Sequence, residues 1–400
     1  THSAPLDLTA RPEELNSYTT LRALECKLRP AGSMVDQPGT DEAERRVRMK
    51  QLSPANCLCC LVMLALAAPI ESHDADAADV FPRTVWQTKT PREVKLDADK
   101  LNAFAKAVGG DGVVVRDGYL VKTWGKPERR ADWASSCKPV ISTLLLFAVQ
   151  EGKLKSVDDP VRPWVRKRWP GKDLIEKDQE ITFRQLADMT SGYSRAEPPG
   201  THWAYNDYAI KLYASVLTEV LGTSLNSAAG ARFKPLDFQD GDLFGSRGGA
   251  GVNTSPRDFA RIGWFWLNRG SWNGKQLLPS EFFIQYCKPD VPRDLPRTRK
   301  AGSDYLKIGT HGGGTDQDFP GQGVYGFNWW FNARMAGRDE HFVRHLPHDT
   351  VCAIGHRGNE VMLIVPSWKL VVAARGNWGG VRLDKTKLLA DAIAASDPSR

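Results

Sequence analysis

Segments typical of β-strands stand near both ends of the chain, and segments typical of helices lie between them. Residues 112–121 hold two β-rich runs joined by Asp117-Gly118, a dipeptide that favours a tight hairpin turn. Residues 360–365 and 370–375 repeat the strand–turn–strand pattern near the other end. This order predicts an α+β fold. One antiparallel sheet forms from N- and C-terminal segments, helices flank it, and a mainly helical subdomain is inserted at about residues 150–270.

The middle of the chain contains several predicted helices with recognisable start or stop signals. Thr182 suits an N-cap because its hydroxyl can accept a backbone N–H of the first turn, and Gly222 suits the left-handed residue after a helix. The predicted helices are residues 140–150, the stretch from Thr182 to near Gly192, and residues 208–220, 257–267 and 383–395. Together with the strands they form a single domain at residues 78–400.

Composition and charge exclude several classes of protein. The 400 residues are 41% apolar and 25% charged, which is typical of a globular chain and not of a disordered one. No apolar run reaches the ~18–20 residues of a membrane-spanning helix, so we expect no transmembrane segment in the mature protein. The net charge of +7 comes from scattered basic residues, and no nucleic-acid-binding motif accompanies it. We therefore expect no nucleic-acid partner.

Residues 57–68 form an apolar run that follows Met49-Lys50 and precedes Pro69 and a polar stretch. A positively charged start, an apolar run of about 7–15 residues and nearby small residues are typical of a secretory signal peptide. We therefore predict a signal peptide at residues 49–77 and a non-native or disordered extension at residues 1–48. The protein would then be exported, and periplasmic or extracellular after cleavage. The alternative for the apolar run is a short buried helix.

One Ser-x-x-Lys tetrad, from Ser135 to Lys138, precedes the helix predicted at residues 140–150. Residues i and i+3 of a helix share a face, so the Lys amine can reach the Ser hydroxyl. A neutral Lys whose pKa is lowered by burial can then accept the Ser proton and create a nucleophile. The Gly-x-Ser-x-Gly and His-Glu-x-x-His motifs are absent from the sequence, which argues against an α/β-hydrolase and a zincin.

The tetrad is the first of three motifs that resemble those of the serine β-lactamase and penicillin-binding protein superfamily. More narrowly, they resemble the class C β-lactamase-related serine hydrolases. Tyr205-Asn206-Asp207 is similar to the second motif, and Gly355-His356-Arg357-Gly358 before a strand pair is similar to the third. Gly249 to Val252 resembles a later Gly-rich turn of the family. The resemblance covers about residues 95–395 and implies a β-lactamase/transpeptidase-like fold.

The resemblance assigns a role to each matching residue. Ser135 would be the nucleophile, Lys138 its activating base, and Tyr205 a second proton shuttle. His356 and Gly358 would flank the substrate on an edge strand. These roles imply a serine hydrolase that needs no cofactor. It would act through a covalent acyl-enzyme on an ester, an amide, a β-lactam or a cell-wall peptide.

The resemblance also implies an oxyanion hole made of the backbone N–H groups of Ser135 and Asn359. Two residues depart from the family pattern. Asp207 stands where Asn is usual, and its charge either raises the pKa of Lys138 or joins a different proton network. Arg357 stands where a hydroxyl is common, and it is the candidate for binding a substrate carboxylate.

Two other functions stay as alternatives. The first is a non-catalytic or slowly acylating cell-envelope binding protein of the same fold, which the departure at Asp207 favours. The second is a metal-dependent protein built on a set of histidines and carboxylates. These donors are His341, His345, His348 and Asp349, with His311, Asp316 and Asp318. The aromatic runs at residues 264–266 and 327–331 are predicted to pack mostly in the core, with cleft lining as the alternative.

Overall fold

The computed structural model describes residues 80–241, 251–298, 300–310 and 320–395. Several predictions concern residues outside these ranges. They are the signal peptide with the extension before it, Gly249-Ala250 of the Gly-rich turn, and the metal donors His311, Asp316 and Asp318. No helix within the described ranges is long and apolar enough to cross a membrane.

Seven strands form one antiparallel sheet. In chain order they are β1 Asp111–Arg116, β2 Tyr119–Trp124, β3 Tyr325–Gly326, β4 Trp329–Phe331, β5 Val351–Gly355, β6 Glu360–Val365 and β7 Leu370–Arg375. The order across the sheet is β2-β1-β7-β6-β5-β4-β3. The N-terminal hairpin therefore pairs with the last strand of the chain, with Asp111 opposite Arg375. This arrangement confirms the predicted α+β sheet built from both ends of the sequence.

Helices surround this sheet. They are α1 Ala98–Val108, α2 Lys138–Gln150, α3 Arg162–Arg168, α4 Phe183–Ala187, α5 Asp207–Leu221, α6 Leu225–Arg232, α7 Pro256–Leu267, α8 Ser280–Tyr286 and α9 Thr386–Ala394. Short 3-10 turns lie at Pro91–Val94, Ala134–Cys137, Glu176–Asp178, Lys234–Leu236 and Pro366–Trp368. Two-residue strands pair Ala131–Asp132 with Asn253–Thr254, and Ser271–Trp272 with Lys275–Gln276.

The central strands face two separate cores, because successive side chains of a strand point to opposite faces of a sheet. Val113 on β1 and Val371 on β7 pack with α7 and the helices in the middle of the chain. Their neighbours Val114 and Val372 pack with α1 and α9 on the other face. All four valines are fully buried. The sheet is thus apolar on both faces and is covered by helices on both sides.

Helix α7 lies in the range predicted for the inserted helical subdomain, but it packs directly on the sheet. Gly263 makes this close approach possible, since a Cβ at that position would lie 2.6 Å from Cγ1 of Val371. The inserted helical part of the fold therefore ends before α7 and not at about residue 270.

Helix α4 is shorter than predicted. Thr182 caps it as expected, because its hydroxyl accepts the N–H of Gln185 and the Gln185 side chain accepts the N–H of Thr182. The helix then ends at Ala187 and not near Gly192. Met189 has a φ of 61°, a left-handed conformation that an α-helix does not contain.

Candidate active site

Ser135 lies in the 3-10 turn Ala134–Cys137, which continues directly into α2 at Lys138. Because Ser135 and Lys138 are three positions apart on this helical segment, their side chains share a face. Lys138 Nζ lies 2.5 Å from Ser135 Oγ. Ala134 has a left-handed φ of 47°, and its N–H donates to the Asp132 carboxylate at 2.9 Å. Ser135 is therefore presented by a strained turn that a neighbouring side chain holds in place.

Lys138 is the buried centre of the site, with 6% of its side chain exposed. Its Nζ stands 4.8 Å from the centre of the Tyr205 ring and 4.0 Å from Oδ1 of Asp207. Burial lowers the pKa of Lys138, but Tyr205, Asp207 and Cys137 together raise it by more, so the pKa lies above its usual value. This direction favours the ammonium form of Lys138 in the resting site. The predicted lowering of its pKa is wrong, because its partners outweigh its desolvation.

Tyr205 and Asp207 reach Lys138 from the start of α5. Asn206 between them is the N-cap, and its side chain accepts the N–H of Ala209 at 2.8 Å. Tyr205 is buried, and its ring packs in a group of aromatic rings. The partners are Trp203, Tyr325 and Trp330, at centroid distances of 6.4, 6.2 and 6.3 Å. The helix cap and the aromatic packing thus hold the second motif against the first.

A cavity of about 270 Å³ opens beside Ser135. Its walls combine side chains of all three motifs with apolar side chains that no motif contains. They are Ser135, Tyr205, His356 and Arg357, with Trp330, Ile354 and Val381. Trp330 belongs to an aromatic run predicted to pack mostly in the core, and Ile354 and Val381 were not predicted at all. Ile354 lies two residues before His356 on the strand that leads to it, and this spacing is the feature of the sequence that could have predicted its place in the cavity wall.

The third motif lies in the turn between β5 and β6, and not on an edge strand as predicted. The sheet ends at β2 and β3, and β5 is an inner strand. His356 and Arg357 have φ values of 34° and 59°, and both line the cavity from this turn. His356 Nδ1 lies 3.0 Å from Oε2 of Glu360. Gly358 packs against the backbone of Gly380, where a Cβ would lie 2.3 Å from the carbonyl oxygen.

Asn359 cannot supply the predicted oxyanion-hole donor, because its backbone N–H donates to the carbonyl of Gly355 at 3.1 Å. By contrast, no acceptor among the described residues takes a hydrogen bond from the backbone N–H of Ser135 or of His356. Both of these residues line the cavity. The turn after β5 thus uses the N–H of Asn359 internally but not that of His356, a difference that the linear motif does not reveal.

Two of the three histidines of the proposed metal site meet, but no third donor among the described residues joins them. The chain from His341 to His348 contains no helix, so the spacing of the histidines does not place them on one face. The rings of His341 and His348 stack with centroids 4.0 Å apart, and Nδ1 of His341 lies 2.8 Å from the carbonyl oxygen of Asn332. Within the described ranges, no group of three His, Cys, Asp or Glu side chains is placed to hold a metal ion.

The Beta-lactamase family model matches residues 97–395. The chain belongs to the beta-lactamase family. An uncharacterized protein of Alkalihalophilus pseudofirmus is 24% identical over an alignment of 322 positions that covers 71% of this chain and 88% of that protein. The family consists in general of serine hydrolases that act on small-molecule or peptide substrates. The match confirms the resemblance that the three motifs predicted.

Two solved structures show the same fold. A beta-lactamase from Mycobacterium bovis is 19% identical with a TM-score of 0.52, covering 74% of this chain and 98% of that chain. A beta-lactamase/D-alanine carboxypeptidase from Yersinia pestis is 18% identical with a TM-score of 0.52, covering 74% of this chain and 96% of that chain. At this level of identity the likeness concerns the fold, and the chemistry must be argued from the site itself.

Proposed function

We propose that this chain is a serine hydrolase that forms a covalent acyl-enzyme at Ser135. Its substrate would be an ester, an amide or a β-lactam. The observation that carries the proposal is the 2.5 Å hydrogen bond from Lys138 Nζ to Ser135 Oγ, at the wall of a cavity that Tyr205 also lines. A nucleophile, a proton acceptor and a second proton carrier in contact form the constellation that acyl transfer needs.

In the proposed reaction Ser135 Oγ attacks the acyl carbon while its proton passes to the neutral form of Lys138. The carbonyl oxygen becomes an oxyanion, and the backbone N–H groups of Ser135 and His356 stabilise it. Tyr205 then delivers its proton to the leaving group as the bond to the acyl carbon breaks, and Lys138 passes the Ser135 proton on to Tyr205 through the hydrogen bond between them. Water attacks the acyl-enzyme in the second half of the reaction and regenerates the Ser135 hydroxyl.

The cavity favours a compact acyl group with an apolar side. Trp330, Ile354 and Val381 provide apolar walls, and the volume of about 270 Å³ is at the small end for ligand sites. Arg357 lines the same cavity and is the group that would pair with a substrate carboxylate. A small ester, amide or β-lactam with one anionic group would suit these walls best.

We also propose that the protein is exported. The support is the apolar run at residues 57–68 with the small and polar residues that follow it. Expression of the full chain in a bacterium, followed by N-terminal sequencing of the periplasmic fraction, tests this directly. Cleavage between about residues 67 and 77 is the expected result. An uncleaved protein confined to the cytoplasmic fraction would contradict export.

Active-site labelling tests the catalytic proposal. The protein would be treated with a fluorophosphonate and, separately, with a labelled penicillin, and the adducts mapped by mass spectrometry. We expect a fluorophosphonate adduct on Ser135 that is absent from Ser135→Ala. Ser136→Ala is the matched control, because the Ser136 hydroxyl is buried and donates to the carbonyl of Trp133. Labelling by penicillin as well would assign the β-lactam subclass.

A non-catalytic binding protein of the same fold is the second candidate. The observation that favours it is the raised pKa of Lys138, because an ammonium ion cannot accept the Ser135 proton. In that case neither reagent would label Ser135, and the protein would turn over no p-nitrophenyl ester.

A further inference from the structure

A second cavity, of about 430 Å³, lies at the far end of β5 and β6 from the active site. Its apolar floor comes from the end of α7, from α8 and from the strands. The floor residues used in the argument are Trp266, Phe283, Phe331 and Ile364. All four side chains are buried at 5% exposure or less. The cavity therefore has a buried apolar floor and is more than a gap between surface side chains.

The two cavities share strands but lie on opposite faces of the sheet. On β4, Trp330 lines the active-site cavity and its neighbour Phe331 lines the second one. On β5, Ile354 lines the first cavity and Val351 lines the second. Successive strand side chains point to opposite faces, and three residue steps along a strand span about 10 Å. The second cavity is therefore separate from the catalytic one.

The mouth of the second cavity carries an excess of positive charge. Arg269 is exposed there, and no acidic side chain among the described residues forms an ion pair with it. Lys288 also lines the mouth, with its Nζ 3.8 Å from a carboxylate oxygen of Asp290. Asp349 also lines the cavity. Its carboxylate accepts two hydrogen bonds from Ser367, one from the backbone N–H at 2.6 Å and one from the side-chain hydroxyl at 3.0 Å.

Two other side chains at this cavity narrow its chemistry. Ile284 lies at the mouth with 62% of its surface exposed, which extends the apolar floor outward. Cys287 lines the wall, and burial raises the pKa of its thiol to about 12. The thiol is therefore protonated near neutral pH, so this part of the wall carries no charge.

We propose that this second cavity binds an amphipathic organic anion. The apolar part of the ligand would pack on Trp266, Phe283 and Phe331, and its carboxylate or sulfonate would meet Arg269 and Lys288 at the mouth. An apolar recess with a cationic rim offers burial to a hydrocarbon or aryl group and charge-assisted hydrogen bonds to an anion. This site goes beyond the proposed hydrolase function and does not depend on it.

The first test uses the fluorescent anion 8-anilinonaphthalene-1-sulfonate with the full chain. We expect saturable binding that decanoate displaces. Decanol, which has the same alkyl chain without the charge, should displace the probe at least about tenfold less well, the effect of losing one charge-assisted hydrogen bond. Equal displacement by decanol, or no saturable binding, would overturn the proposal. The Ser135→Ala protein should bind the probe unchanged, which separates this site from the catalytic one.

Matched variants locate the site. Ile284→Asp places a negative charge at the mouth, and Val85→Asp makes the same kind of change at a position 61% exposed and outside the cavity. We expect about tenfold weaker probe binding in Ile284→Asp and in Arg269→Gln, and unchanged binding in Val85→Asp. Thermal unfolding at the same temperature in all variants would show that the fold is intact. Equal affinity in Ile284→Asp and Val85→Asp would refute the assignment.

Discussion

Asp207 is one of the groups that raise the pKa of Lys138, and the substitution Asp207→Asn measures its share. The amide has the shape of the carboxylate but lacks its charge. Two unit charges 4 Å apart attract by about 1 kcal/mol in water and by about 4 kcal/mol at the effective dielectric near a protein surface. Lys138 is 6% exposed and Asp207 is 24% exposed at a separation of 4.0 Å, so the pair lies between these limits.

The consequence for catalysis has a definite sign. Removing the negative charge destabilises the ammonium form, so the pKa of Lys138 falls and the neutral fraction rises. If the lost attraction between the two charges is about 1.4 kcal/mol, the neutral fraction of Lys138 rises about tenfold. If neutral Lys138 accepts the Ser135 proton, kcat/KM at neutral pH should rise by up to about this factor, and its rising alkaline limb should move to lower pH.

The assay is the pH dependence of kcat/KM for p-nitrophenyl butyrate, between about pH 6 and 10, in the wild type and in Asp207→Asn. Asp99→Asn is the control, because Asp99 is an exposed carboxylate in the first turn of α1, as Asp207 is in the first turn of α5. The reasoning is refuted if the rising alkaline limb of the kcat/KM profile of Asp207→Asn coincides with that of the wild type or lies at higher pH.

Three further results are expected. Tyr205→Phe keeps the aromatic packing but removes the proton carrier, so steady-state ester turnover should fall about 10²–10⁴-fold while thermal stability is retained; an unchanged rate would exclude Tyr205 as the shuttle. Burial raises the pKa of Asp188 from 3.8 to about 7, so the folded state binds this proton more tightly than the unfolded chain does. The contribution of Asp188 to stability should therefore fall as pH rises from about 4 to 7, and the free energy of urea unfolding of the wild type should decline across that range relative to that of Asp188→Asn. Gly263→Ala should cost about 1–3 kcal/mol in urea unfolding, because its Cβ would meet Val371. Gly230→Ala in α6, with nothing within 4 Å of its Cβ, should be neutral or stabilising, and an equal loss in both variants would contradict the packing argument.

Features set by neighbouring residues could be predicted from the sequence. The hairpin around Asp117-Gly118, the Thr182 cap and the strands at residues 360–365 and 370–375 all agree with the structure. Each depends on turn chemistry, capping or an apolar run within a few residues. The helical spacing of Ser135 and Lys138 likewise predicted the contact between their side chains, because i and i+3 share a helix face wherever the helix lies.

Features that depend on distant contacts were missed. Helix α4 ends early at a left-handed Met189, and Gly263 lets α7 approach the sheet. The turn after β5 uses the N–H of Asn359 internally and leaves that of His356 without an acceptor among the described residues. The packing of α7 depends on a residue of a distant strand. The end of α4 and the turn after β5 depend on backbone conformations that several residue types can adopt.

The sequence by itself determined the family, the order of its three motifs and the local elements that carry them. Tertiary structure alone decided the charge of Lys138, because that charge depends on the balance between its burial and partners such as Tyr205 and Asp207 on another element. It also decided which N–H groups are used within a turn, as that of Asn359 is, and which apolar side chains, such as Val381, form the cavity walls. Motif spacing specifies which groups can react, whereas desolvation and electrostatic attraction act through space, and only the folded chain sets those distances.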